Sequence, residues 1–153
     1  AIPVNPAFRI RLWVAVAGVF VVIVLGALVR GSAASRAFSD WPLMDGALLP
    51  AGFDNGRQLV HFLHRSGAAL VGGTRVYLVV LVRRAVPHHR LLHRLAETVL
   101  ALYLVQVLFG AANIWFRLHP AAVVGHVAFA ALTWAGAFSL PTVGVLQARR
   151  RRR

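Results

Sequence analysis

Long apolar runs separated by short polar breaks dominate this chain. Leu12 to Val29 is an uncharged run of eighteen residues, and Thr98 to Phe116 is another of nineteen. Pro120 to Ala148 has no charged side chain unless His126 is protonated, and Leu59 to Val82 is apolar except at Arg65 and Arg75. A membrane-spanning helix needs about 20 mainly apolar residues. The pattern therefore predicts four transmembrane helices, over roughly 8–30, 58–82, 95–116 and 121–147, within a single domain 1–153. The connections after the second and third are short, so neighbouring helices should run antiparallel. The fold class expected is an all-α membrane protein, a four-helix bundle with up-down-up-down topology. Gly26, Gly67, Gly72, Gly110 and Ala131 are the small residues at which its helices could approach closely.

Charge orients this bundle. The net charge of +13 comes from arginine alone, against four acidic residues. On a soluble protein it would suggest nucleic acid, but here its distribution matters more. Arg9, Arg11, Arg83, Arg84, Arg90, Arg94 and the tail Arg149 to Arg153 fall on one side of an alternating bundle. Arg30, Arg36, Arg57 and Arg117 fall on the other. Cationic loops stay in the cytoplasm, so both termini are expected there, with loops 31–57 and 117–121 outside. The basic tail 149–153 is expected to fix topology and touch anionic lipid, with no nucleic-acid partner. Arg75, nearer the cytoplasmic end, is expected to snorkel. The first apolar run is too long for a typical cleavable signal. The sequence has no cysteine, which excludes disulfides, thiolate ligands and a cysteine nucleophile. His88, His89 and His93 lie between the second and third spans without a carboxylate nearby, and read as a solvated basic loop. Residues 1–8, with Pro3 and Pro6, read as an irregular lead-in.

Loop 31–57 has no obvious strand pattern, and a connection this long is functional or packed down as a lid. Its Trp41 suits a membrane interface. The candidate chemistry lies beside it. His64 and His126 each fall about five residues into a span entered from the outside, so both lie on the order of 8 Å below the outer boundary. An ionisable residue inside a membrane is a functional candidate by default. Helices two and four run parallel and diagonal, so a porphyrin between them could take one imidazole on each face of its iron. Bis-imidazole ligation suits an electron-transferring haem. Two unrelated core histidines bonded to Gln106 or Asn113 are one alternative. A copper or zinc site made of His61, His64 and His126 is another. Arg65 adjoins His64 and could pair with a haem propionate or with lipid phosphate.

Gly26-Ala27-Leu28-Val29-Arg30, Trp41-Pro42-Leu43-Met44-Asp45-Gly46, His64-Arg65, Gln106 with Gly110, and His126 together resemble the haem A synthase family. Such proteins oxidise a methyl group of haem O to the formyl of haem A for cytochrome oxidase. They typically have eight helices in two similar halves, each with a histidine pair, one half holding a b-type haem. The resemblance covers one half, closer to the haem b half of one branch. It implies axial-ligand roles for His64 and His126, with b-type haem expected and haem O or A as alternatives. It also implies a bacterial cytoplasmic membrane, with the haem site near the outer face. Where the catalytic half carries a glutamate this chain has His61, and Phe38 and Met44 stand where some members carry a cysteine pair. No catalytic residue is assigned. Three functions follow: a b-type electron-transfer subunit of a respiratory or photosynthetic complex, haem A synthase itself as a homodimer, or a cofactor-free structural subunit. Other membrane subunits or a homo-oligomer are the expected partners.

Overall fold

A computed structural model describes residues 6–150, with side chains through Val143. The chain forms α1 (Pro6–Gly31), a single 3-10 turn over Ala34–Arg36, α2 (Gly56–Ala85), α3 (Arg90–Trp115) and α4 (Pro120–Arg150). All four helices are long and apolar enough to cross a membrane. Each packs on its sequence neighbour, and α1 closes against α4, which leaves α2 and α4 on one diagonal. This is the four-helix membrane bundle that the apolar runs predict. Most helix ends lie a few residues beyond those runs, although α3 starts eight residues before its run, at Arg90, and stops at Trp115.

Asn55 caps α2 by accepting from the backbone N–H groups of Arg57 and Gln58, at 3.0 and 3.1 Å. The Gln58 side chain reaches back to accept from the Asp54 N–H at 2.7 Å, which satisfies another donor at the helix start. Pro120 opens α4, where its missing N–H costs nothing. Two of the three histidines near the turn between α2 and α3, His89 and His93, have structural work. The His89 ring accepts from the Leu92 N–H and caps α3, while His93 Nε2 bonds the Val86 carbonyl at 2.9 Å. Arg83 and Glu97 form an exposed ion pair across this turn at 2.7 Å.

The end of the bundle near this turn, here the arginine end, is the packed one. Phe8, Leu12, Leu78, Val82, Leu92, Val99 and Leu140 form its buried core. A smaller cluster of Val19, Val22, Val71 and Tyr103 continues it toward the opposite end, here the loop end. In a bilayer such contacts hold helices together by close packing rather than by removal of water. Four of the five expected small-residue contacts occur. A Cβ on Gly26, Gly67, Gly72 or Gly110 would come within 2.9–3.2 Å of His64, Val22, Tyr103 or His126 respectively. Ala131 instead faces outward. Two other tight contacts are Gly125 on Phe109 and Gly136 on Val99.

Arg75 does not snorkel. It is 2% exposed and its guanidinium donates to the Ala15 carbonyl inside the bundle. Its side chain points into the bundle rather than along the helix toward an end, and bonds a carbonyl of α1. Pro3 of the expected lead-in and the end of the arginine tail, 151–153, lie outside the described residues; Pro6 already begins α1.

Candidate functional site

His64 and His126 are seated by the same device, built once in each helical hairpin. His64 on α2 donates Nδ1–H to the Val22 carbonyl of α1 at 3.1 Å, and its ring lies against Gly26. His126 on α4 donates Nδ1–H to the Gln106 carbonyl of α3 at 3.1 Å, and its ring lies against Gly110. In both cases the acceptor stands four residues before the glycine, one helical turn away on the same face. Glycine leaves room for the ring in both seats: a Cβ at 26 would clash with His64 Cε1 at 2.9 Å, and one at 110 would crowd His126 Cε1 at 3.2 Å. A carbonyl only accepts, so each Nδ1 carries the proton and each neutral imidazole keeps the lone pair on Nε2. That is how a metal-ligating histidine is ordinarily held.

The two rings meet across the diagonal. Their centroids are 6.4 Å apart and their planes are inclined by 80°. Two imidazole–metal bonds of about 2 Å, with roughly 1.2 Å more from each nitrogen to its ring centre, span about that distance. The residues present thus fit a metal gripped from both sides by two imidazoles. Among the described residues no group of three or more metal-ligating side chains comes together. The three-histidine copper or zinc site is not formed: His61 lies against Phe38, its ring tilted by 38° with 5.5 Å between centroids, and its Nδ1 has no partner. The alternative of side-chain bonds to Gln106 or Asn113 gives way to the Gln106 backbone carbonyl, while Asn113 Oδ1 is buried without a partner.

The long loop is packed down over this end. Phe38 and Met44 are buried, at 1% and 6% exposure, and Trp41 stands edge-on to Trp115 of α3 at 5.5 Å. Met44 and Ala47 close a two-residue hairpin whose central residues, Asp45 and Gly46, have φ of 54° and 82°. Such a turn needs positive φ at both, which favours Asp-Gly. The Asp40 carboxylate accepts from the Asp45 and Gly46 N–H groups at 2.9 and 2.8 Å. The Gly46 bond first, then the Asp45 bond and the nearby Arg65, hold its carboxyl below the usual range against the opposing cost of burial. Arg65 reaches from α2 and donates to the carbonyls of Asp40, Pro42 and Leu43, at 3.1, 3.0 and 2.8 Å. It therefore clamps the loop next to His64. A separate open groove of about 570 Å³, lined by Phe109, Trp115 and Phe116 among others, touches neither histidine of the pair.

Sequence patterning found both histidines, Arg65 and both glycines. It missed the carbonyls of Val22 and Gln106, since backbone acceptors leave no mark in residue identity. It also missed Asp40, whose role depends on a turn five residues later.

Fold and site together define a class: a multi-pass membrane bundle in which two hairpins each present one oriented imidazole. The sequence matches the cytochrome oxidase assembly protein family over residues 1–138. A relative named haem A synthase, from Chelativorans sp. (strain BNC1), is 35% identical over 133 residues, covering 80% of this chain and 36% of that protein. One of the same name from Rhizobium leguminosarum bv. trifolii (strain WSM2304) is 33% identical over 132 residues, covering 74% and 35%. The chain belongs to the cytochrome oxidase assembly protein family, in its haem A synthase branch, and is a haem-related, multi-pass bacterial membrane protein. It spans little more than a third of the length of these relatives.

Proposed function

We propose that this chain is the haem-holding four-helix unit of a haem A synthase, serving the oxidation of haem O to haem A. The observation that carries this reading is the matched pair of seats, with His64 and His126 at a ring separation of 6.4 Å and both Nδ1–H groups engaged by backbone carbonyls. His64 and His126 would hold a b-type haem through the lone pairs on their Nε2 atoms. Its iron supplies one-electron redox chemistry when bound. The chain orients the two nitrogens, keeps ring-sized space with Gly26 and Gly110, and covers the loop end with Phe38, Trp41 and Met44. The Arg65 N–H groups that do not bind the loop are available to a propionate.

The chain spans little more than a third of its relatives' length, so haem O oxidation is assigned to the assembly completed by a complementary four-helix half, supplied by a second copy of this chain or by another membrane subunit. The membrane is the bacterial cytoplasmic membrane, with the loop end outward and the arginine end in the cytoplasm, as the arginine distribution implies.

A second reading, an electron-transfer subunit of a respiratory or photosynthetic complex, is favoured by one feature. His61, 4% exposed, takes the place of the family's glutamate, and no carboxylate pairs with it among the described contacts. The relatives' shared name favours the first reading.

A redox difference spectrum of the purified chain tests the common core of both. Sharp α and β bands on reduction are expected, and no Soret band in a folded, haem-replete preparation would overturn both in favour of a cofactor-free subunit. Co-expression with a haem O source then separates them. Haem A accumulation supports the synthase, whereas bound haem without haem A, with the native membrane subunits also co-expressed, supports the electron-transfer subunit.

A further inference from the structure

About 10 Å from the histidine pair, toward the arginine end, lies a second polar layer that the proposed function does not use. Arg75 bonds the Ala15 carbonyl of α1, seven residues from the Val22 carbonyl that seats His64. Seven residues of helix span about 10 Å. Thr133 of α4 lies the same seven residues beyond His126, is 0% exposed, and its Oγ1 has no partner. Tyr103 of α3 stands three residues from Gln106 and donates its hydroxyl to the Ala68 carbonyl of α2. The layer therefore contains one full charge, and that charge has no counterion. The four acidic residues of the sequence are all engaged elsewhere or remote. Asp40, Asp45 and Asp54 belong to the loop end, and Glu97 pairs with Arg83. Arg75 Nε is itself buried without a partner. A guanidinium stays protonated in proteins, so a whole positive charge is fixed in the bundle interior. Such burial is costly when unpaired, and a purely structural need for one backbone bond does not explain it.

We propose that Arg75 is an electrostatic tuning residue that raises the reduction potential of the iron held between His64 and His126; this rests on the haem-holding reading above. The oxidised site carries one more positive charge than the reduced site. A cation fixed nearby disfavours the oxidised form and is easier to accommodate once an electron arrives. At about 10 Å and an effective dielectric constant of about 20, the interaction changes the reduction equilibrium by roughly tenfold. The charge is sealed from solvent, so its effect is little screened by salt.

The test is an optical redox titration of the full-length, haem-loaded chain as wild type, Arg75→Gln, Arg75→Met and Arg75→Lys. Either neutral variant is expected to favour oxidation by about tenfold, which is about 59 mV for a one-electron couple. Arg75→Lys keeps the charge and is expected to stay near wild type. Arg83→Gln, at the exposed pair, is expected to change nothing. If neither neutral variant folds, Thr133→Glu brings a countercharge into the same layer, with Thr133→Gln as its control; the glutamate should lower the potential and the glutamine should not. A folded, haem-loaded neutral variant, or Thr133→Glu where it is needed, that titrates with wild type overturns the tuning role while leaving the haem reading intact. Absence of haem from the wild type overturns both.

Discussion

The two hairpins hold their histidines alike and cover them differently. In α1–α2 and in α3–α4 a glycine makes room for the ring and a carbonyl one turn away takes the Nδ1 proton. Beyond the seat they diverge. The α1–α2 connection is a long loop clamped by Arg65 and folded on Asp40, with Phe38 lying over His61. The α3–α4 connection is a short turn through Arg117 and Leu118, at φ of 50° and 64°. Imidazole orientation is thus common to both halves, while the packed-down loop belongs to one.

The largest expected effect probes what they share. His64→Ala and His126→Ala should each reduce bound haem more than tenfold in the purified protein, and to the same degree. Loss on one side only would mean that the pair does not act as one grip.

The seats come next. Gly26→Ala and Gly110→Ala both force a methyl group against an imidazole, and overpacking of this kind costs typically 1–3 kcal/mol. Gly26→Ala should be the worse of the two in thermal unfolding and haem retention, because its Cβ meets the ring at 2.9 Å rather than 3.2 Å. A reversed order would show that the α1–α2 seat is the more yielding one.

The packed-down loop predicts a smaller, one-sided change. Arg65→Gln or Asp40→Asn should expose the loop to protease without disturbing His126. The Asp40 carboxyl is held below the ordinary carboxylate range by the Gly46 N–H. Its contribution is therefore complete above about pH 4 and is lost as pH falls through the lowered value. Trp41 fluorescence followed from neutral to acid should report that loss in the wild type and lack it in Asp40→Asn.

The smallest effects concern the shared frame. Asn55→Ala removes the α2 cap, at about 1 kcal/mol. Arg83→Gln breaks an exposed ion pair, at no more than about 1 kcal/mol. Chemical denaturation should resolve the first clearly and the second barely, and neither should distinguish His64 from His126.

How much of this was legible in the residues follows from what each feature is made of. Four apolar runs specify four helices because a bilayer leaves few other ways to satisfy a backbone. The equal depth of His64 and His126 followed from helix rise and alternation alone. Gly26 and Gly110 were legible as close contacts, although not as ring seats, since nothing in a glycine says what approaches it. Arg65 and Arg75 were the least legible. Composition treats both as cations seeking an anion or water, whereas three loop carbonyls claim one and the bundle interior encloses the other. Only the folded path of the loop and the direction of the side chain decide between those fates.

Each imidazole takes its orientation from the helix joined to its own by a single connection. Neither half of the grip needs the other to acquire its geometry. A hairpin that enters the bilayer as a unit arrives with its histidine already aimed and its tautomer already chosen. The meeting of the two hairpins then brings together two rings that are each already oriented.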